Sequence, residues 1–131
     1  MIIKKRENSP RYQRDQIESF LLVSKKTTNA NNLSITLVEM QPGGFQYIHS
    51  HKPEQMYYIL EGSGIMTIDS SQKQVGAGDC IFIPSLSGHG LRNTGNTVLK
   101  YLSAASSSFT MEECEDLWPL KSIEETGEGQ K

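Results

Sequence analysis

The three histidines of this chain fall in two short stretches, HSHKPEQMYYILEG at 49–62 and GDCIFIPSLSGHGLRN at 78–93. His49 and His51 stand two apart, Gln55 follows four residues later, and His89 lies in the second stretch. Residues two apart on an extended segment point to one side, whereas helical neighbours lie three or four apart. Neutral imidazole is the commonest protein ligand for borderline transition metals, so the spacing suits one metal site. A histidine alone is more often a solvated or hydrogen-bonded structural residue, but three with this spacing are hard to explain that way.

The two stretches resemble the two signature motifs of the cupin superfamily. The first motif runs glycine, five residues, His-x-His, three or four residues, glutamate, six residues, glycine. Gly43, His49, His51, Gln55 and Gly62 fill those places. The second runs glycine, five residues, proline, x, glycine, two residues, histidine, three residues, asparagine. Gly78, Pro84, His89 and Asn93 match it, and Leu86 stands where the family usually has glycine. The resemblance covers about 50 of the 131 residues. It implies a small single-domain cupin of all-β class, a double-stranded β-helix or jelly-roll barrel. It also implies one divalent transition metal (zinc, nickel, iron, manganese or copper) on His49, His51, Gln55 and His89, with one or two positions open to water or substrate.

Two departures from the motifs matter differently. A glycine at 86 would ease the turn before the ligand strand, and Ser85, Ser87 and Gly88 give that loop other ways to turn. Gln55 in place of glutamate changes the chemistry. Three imidazoles and a carboxylate leave a divalent ion with a net charge of about +1, whereas a neutral amide leaves about +2. Such a site favours polarising a carbonyl or activating a water over cycling through a trivalent state. Glu54 is the rival ligand. With Gln55 inward, the period of two turns Glu54 outward, unless the Lys52–Pro53 turn shifts the register by one. The six-residue spacing to Gly62 favours Gln55.

The elements that must position these residues read as short strands. Residues 1–19 are polar with little periodicity and predict an irregular N-terminal arm that covers a sheet edge or a neighbouring subunit. The barrel is expected over 20–109. It opens with an apolar run at 20–24, a turn-rich connection at 25–32, an alternating strand at 33–40, and a break at Pro42–Gly44. A strand from Phe45 to His51 carries two histidines, turns through Lys52 and Pro53, and returns antiparallel over 55–60. Further strands follow at 65–69, after a turn at Ser70–Ser71 at 72–75, then at 80–83, from His89 to Asn93, and over 97–105. Thr110 with Glu113 resembles a capping box, and Met111, Cys114, Leu117 and Trp118 stand at helical spacings, so a short C-terminal helix is predicted over 110–118. Residues 119–131 read as a disordered tail.

On the Gln55 strand, Tyr57 and Ile59 share the inward face. Tyr57 is a core aromatic or, if it touches substrate, the candidate catalytic residue and proton carrier. Leu91 and Asn93 share the face of His89 while Arg92 turns away, and Asn93 fixes the local turn. Met40, Phe45, Tyr47, Met66 and Phe82 are candidates to line a cavity. Cys80 and Cys114 form no disulfide framework, and Cys80 reads as a small packed hydrophobe.

The bulk properties exclude several classes. With 131 residues, 36% of them hydrophobic, the chain fits one domain with a single core. A formal net charge of -2 with scattered basic residues argues against nucleic acid as a partner. No apolar run is long enough to span a bilayer and the start lacks a secretory signal, so a cytoplasmic protein without a membrane partner is expected. There is no G-x-S-x-G elbow, phosphate loop or H-E-x-x-H pair. The leading expectation is Lewis-acid isomerase or lyase chemistry on a small oxygenated metabolite such as a sugar acid or keto acid. A metal-dependent dioxygenase and a non-catalytic sugar- or effector-binding barrel are the alternatives, and a barrel with exposed edges is expected to form a homodimer.

Overall fold

The structure, a computed structural model, describes residues 1–106 and the strand at 121–124. Alternation of apolar and polar residues builds the central strands. In β3 (Ser34–Met40) and β9 (Leu99–Ala105), every second residue is buried and the others are half-buried. These two strands pair antiparallel along their whole length. Outward from β3 lie β2 (Ile17–Val23), β1 (Arg11–Arg14) and β10 (Lys121–Glu124), and outward from β9 lie β4 (Gln55–Glu61) and β7 (Cys80–Ile83). A second sheet of three strands has the order β6 (Ser71–Gly76), β5 (Ser63–Ile68), β8 (His89–Arg92). The chain is all-β in two antiparallel sheets, as the barrel expectation requires.

The register stacks inward-facing residues in rungs whose size changes along the barrel. At one end Ile17, Met40 and Leu99 share a rung, and Ser19, Val38, Tyr101 and Ile59 share the next. Toward the other end come Leu21, Thr36, Ser103 and Tyr57, then Ser34, Ala105, Gln55 and Ile83. Large apolar side chains close the first end, where each buried one contributes roughly 1.5–3 kcal/mol. Ser34, Thr36, Ser103 and Ala105 are small and stand beside the larger Leu21, Tyr57 and Ile83 at the second.

Several expectations need correction. Residues 11–14 and 17–19 are strands of the larger sheet, paired within the chain, rather than parts of an irregular arm. Before them a single 3-10 turn at Arg6–Asn8 is held by two hydrogen bonds from the Arg6 guanidinium to Glu39, 2.7 and 2.9 Å long. The turn-rich connection contains a one-turn helix, α1 (Lys25–Thr28), capped by the Ser24 hydroxyl. Residues 45–51 form no hairpin with β4, because both edges of β4 are taken by β7 and β9. They run instead along β8, touching it by single bridges at Phe45–Arg92 and His49–His89. The chain then crosses from one sheet to the other through Lys52 and Pro53. The turn expected at Ser70–Ser71 comes one residue earlier, with Asp69 at φ 53°. The helix predicted over 110–118 lies outside the described residues, as does most of the predicted tail, but residues 121–124 of that tail are strand and pair with β1. Among the described residues no helix is long and apolar enough to cross a membrane.

Candidate metal centre

His49 and His89 face each other across the seam between segment 45–51 and β8, exchanging backbone hydrogen bonds of 3.0 and 2.9 Å. The segment lies close on β8 because residue 90 is glycine: a Cβ there would meet Ile48 Cδ1 at 2.9 Å and the Gln46 carbonyl oxygen at 3.0 Å. His51 ends the segment, and the 84–88 loop clamps it. Leu86 N–H donates to the His51 carbonyl at 2.8 Å, and Ser85 Oγ donates to the Lys52 carbonyl at 2.6 Å. Leu86 sits at φ 70°, a left-handed conformation, at the place where the resemblance calls for glycine. The loop therefore makes the glycine turn with a leucine, which costs about 1–2 kcal/mol.

The three imidazoles form one cluster. Their ring centroids are 4.3 Å (His49–His89), 5.1 Å (His51–His89) and 5.9 Å (His49–His51) apart, and one ligand atom from each lies within 4.8 Å of the others. Each ring uses Nδ1 in the same way, against a backbone carbonyl: Tyr47 at 2.9 Å, Pro53 at 3.0 Å and Ser87 at 3.0 Å. A neutral imidazole that donates from Nδ1 carries its lone pair on Nε2. His89 Nε2 is buried with no hydrogen-bond partner among the described residues.

Gln55, the first residue of β4, completes the group. Its amide nitrogen donates to Ser103 Oγ at 2.5 Å, which turns its oxygen to within 2.7 Å of His51 Nε2. A proton on Nε2 makes this contact a hydrogen bond, and without that proton two acceptors face one another, as donors to a cation would. The buried, unpartnered Nε2 of His89 and this opposed pair fit a borderline divalent ion, which takes imidazole and amide-oxygen donors together. Glu54 is exposed, with its backbone engaged by Ser106. Burial holds the His89 imidazolium down to about 4 and lowers His49 as well, so both rings are neutral, as ligands must be, at physiological pH.

Tyr57 is fully buried beside the cluster, its ring edge-on to His89 at 6.1 Å. Its hydroxyl donates to Gln46 Oε1 at 3.2 Å, and burial pushes its ionisation far above the ordinary tyrosine range. Arg92 is exposed and Leu91 buried, as their parity with His89 predicts. Asn93 donates to the Met40 and Thr97 carbonyls and accepts from Gly95 N–H, fixing the turn. The expected cavity wall is only partly where it was placed. Phe45, Tyr47 and Phe82 are about half exposed on the outside, Met40 and Met66 belong to the core, and Cys80 is exposed rather than packed. Gln46 is the inward residue that parity with His49 missed. Residues 46–48 are not a regular strand, so the period of two breaks there, sending Gln46 inward and Tyr47 out beneath Arg14.

Charge distinguishes this interior. Among the described residues no aspartate, glutamate, lysine or arginine is buried: the buried polar residues are serine, threonine, asparagine, glutamine and histidine.

The family described as the Cupin domain matches residues 36–105. The chain is 40% identical over 76 residues to an uncharacterized protein of Methanocaldococcus jannaschii, a match covering 57% of this chain and 61% of that one. It is 29% identical over 110 residues to a protein of Thermotoga maritima named an oxalate-binding protein, covering 79% of this chain and 91% of the relative. Among solved structures, a predicted oxalate decarboxylase from Thermotoga maritima superposes with a TM-score of 0.73 at 24% identity, covering 81% of this chain and 99% of the other, a likeness of fold.

Proposed function

The chain belongs to the cupin family, and from that premise we propose that it binds one divalent transition metal through His49, His51, His89 and Gln55. We infer further that this ion holds a small dianionic oxygen chelator, of the oxalate or related dicarboxylate class. The observation that carries the reading is the absence of any buried aspartate, glutamate, lysine or arginine among the described residues. An ion held by four neutral donors keeps a charge of about +2, and Asp69, whose carboxylate acts on His89, is exposed rather than inside the site, so the interior counter-charge has to arrive with the ligand. A dianion matches that charge, a monoanion half of it. The similarity to a protein named for oxalate binding supports the same class.

When bound, such an ion would supply Lewis-acid polarisation of a ligand oxygen. The chain's own residues shape the rest. Nδ1 contacts to three backbone carbonyls orient the imidazoles, Ser103 orients Gln55, and Tyr57 packs against His89. Tyr57 keeps its proton and commits it to Gln46, which favours holding a ligand over a proton-transfer role for this residue. Binding without turnover is therefore the reading the geometry supports best.

Calorimetric titration of zinc-loaded protein with oxalate, glycolate and ethylene glycol tests it. Oxalate should bind at least about tenfold tighter than glycolate and the neutral diol weakest; equal affinities, or oxalate binding undiminished in metal-free protein, would defeat the proposal. A second reading, Lewis-acid isomerisation or lyase chemistry on a sugar acid or keto acid, draws on the same uncompensated charge. It requires metal-dependent conversion of at least one compound from a panel of uronates, keto acids and diketones.

A further inference from the structure

The His89 ring is held by one peptide group, and the far side of that peptide is held by a carboxylate. The Ser87 carbonyl and the Gly88 N–H belong to the same peptide unit. Its oxygen meets His89 Nδ1 at 3.0 Å, and its N–H donates to Asp69 Oδ1 at 3.1 Å. We propose that Asp69 is a positioning residue of the metal centre, acting through this peptide to hold His89 with Nδ1 protonated and Nε2 free for the ion. The inference rests on the metal-binding reading above and adds a residue outside the four ligands.

The strand register brings Asp69 to this place. Ile68, the last residue of β5, pairs with His89, so one step further along the antiparallel pair Asp69 comes opposite Gly88. Asp69 N–H donates to the Gly88 carbonyl at 2.7 Å, as the ladder would continue. The hairpin into β6 then turns the Asp69 backbone away at φ 53°, a left-handed conformation that aspartate and asparagine tolerate better than most residues. Its side chain supplies the second bond of the pair, so Gly88 is gripped at both N–H and C=O by one residue. Asp15 sits at φ 51° between β1 and β2 and has its carboxylate 3.8 Å from Arg14 instead, so such a turn does not by itself dictate the contact. The rest of the loop is pinned by the bond from Ser87 N–H to the Pro84 carbonyl, 3.2 Å, and by that from Leu86 N–H to His51.

A planar trans peptide carries its N–H and its C=O on opposite sides, so Asp69 and His89 pull on the two ends of one dipole. A carboxylate at the N–H polarises the group and makes its carbonyl a stronger acceptor. That favours the tautomer with the proton on Nδ1 and the lone pair on Nε2, the atom that is buried without a partner among the described residues. Carboxylates that touch a metal-ligating imidazole directly have the same effect. Here a peptide stands between them, and the anion stays at the surface, because Asp69 is exposed. Orientation therefore reaches His89 without a charge entering the interior. His51 has a neutral counterpart: its Nδ1 meets the Pro53 carbonyl, and the N–H of that peptide, from Glu54, donates to Ser106 Oγ at 3.2 Å. Of these two relays, the one at His89 ends in a charge.

The test compares full-length wild type, Asp69→Asn and Asp69→Gly. Both substitutions suit the left-handed turn, but only asparagine keeps an oxygen for the Gly88 N–H. Zinc affinity is read by competition with a chromophoric chelator, and the His89 tautomer by the NMR shifts of its ring nitrogens in metal-free protein. Asp69→Gly is expected to bind zinc about tenfold more weakly and to show His89 as a mixture of tautomers. Asp69→Asn should lie between it and wild type, since its oxygen keeps the bond without the charge. Unchanged zinc affinity in Asp69→Gly would overturn the inference. So would weaker zinc binding with the His89 tautomer unaltered, the result expected if Asp69 merely stiffens the loop. Wild-type protein that takes up no zinc would end the metal reading, and the tautomer change would then decide the relay alone. Should Asp69→Gly fail to fold, Asp69→Asn decides: a His89 tautomer and zinc affinity both equal to those of wild type refute the relay.

Discussion

Gln55→Glu separates the two halves of the proposed function, because it should move metal and ligand affinity in opposite directions. The substitution is nearly isosteric, and the present oxygen already lies 2.7 Å from His51 Nε2 in a site 4% exposed. A bound divalent ion keeps the new carboxylate ionised, so the metal should be held more tightly. A dianion would then meet a like charge. With its centre about 5 Å from the carboxylate, the repulsion runs from about 1.7 kcal/mol at the dielectric of water to about 6.6 kcal/mol at an effective value of about 20. The lower bound alone weakens oxalate by about 15-fold, and burial places the true value above it. Zinc affinity can be read by competition with a chromophoric chelator and oxalate affinity by calorimetry on the saturated protein at pH 7.5. If both constants move the same way, or neither moves, Gln55 does not face the ion and the charge argument fails with it.

Three further outcomes follow from particular residues. Leu86→Gly should stabilise the protein by about 0.5–1 kcal/mol, because relief of the left-handed strain at φ 70° exceeds the extra freedom glycine gives the unfolded chain, and the 67%-exposed side chain contributes little packing. Leu86→Ala keeps the strain, so an equal gain from both changes in a denaturant titration would discredit the explanation. Zinc at about 100 times its dissociation constant should raise stability by about 2.7 kcal/mol, with EDTA reversing it and His89→Ala abolishing it; a wild-type melting temperature indifferent to both counts against the site. The hydrogen bond from Arg6 holds the Glu39 carboxyl below its ordinary range, so its contribution is full above the unfolded carboxylate value of about 4.3 and is lost as pH falls through the lower folded one. Because Arg6 is 41% exposed, that contribution stays under about 1 kcal/mol. Glu39→Gln should flatten the acid limb of the stability curve, and identical limbs in the two proteins would remove the pair from the account.

What the sequence disclosed, and where it went silent, has a physical pattern. Strands whose alternation is strict, such as Ser34–Met40 and Leu99–Ala105, were readable because one face of each is packed and the other is not. The same parity placed Tyr57 and Ile59 inward and Arg92 outward. Parity failed at 46–48, where the chain keeps only isolated bridges to β8, and there it hid Gln46 and misplaced Tyr47. Sheet membership was also illegible. Lys52 and Pro53 look like a hairpin turn locally, and only the occupied edges of β4 force them to be a crossing. The first strand was missed because Arg11–Arg14 is half-buried throughout and has no alternation to detect, and the second was read only from Phe20 onward.

The four candidate ligands are divided between the two sheets. His89 begins β8 of the smaller sheet and His49 is bridged to it, Gln55 begins β4 of the larger sheet, and His51 lies in the crossing between them. The rungs nearest these residues mix the small Ser34, Thr36, Ser103 and Ala105 with the larger Leu21, Tyr57 and Ile83, whereas Met40, Leu99 and Ile17 at the opposite end are all large. An ion bound by residues of both sheets would link them at that place. The unpartnered Nε2 of His89 is a cost in the protein alone, and the same ion would remove it. Sheet attachment and donor arrangement would thus have one common solution, and on the proposed reading Gln55 bears on stability as directly as on recognition.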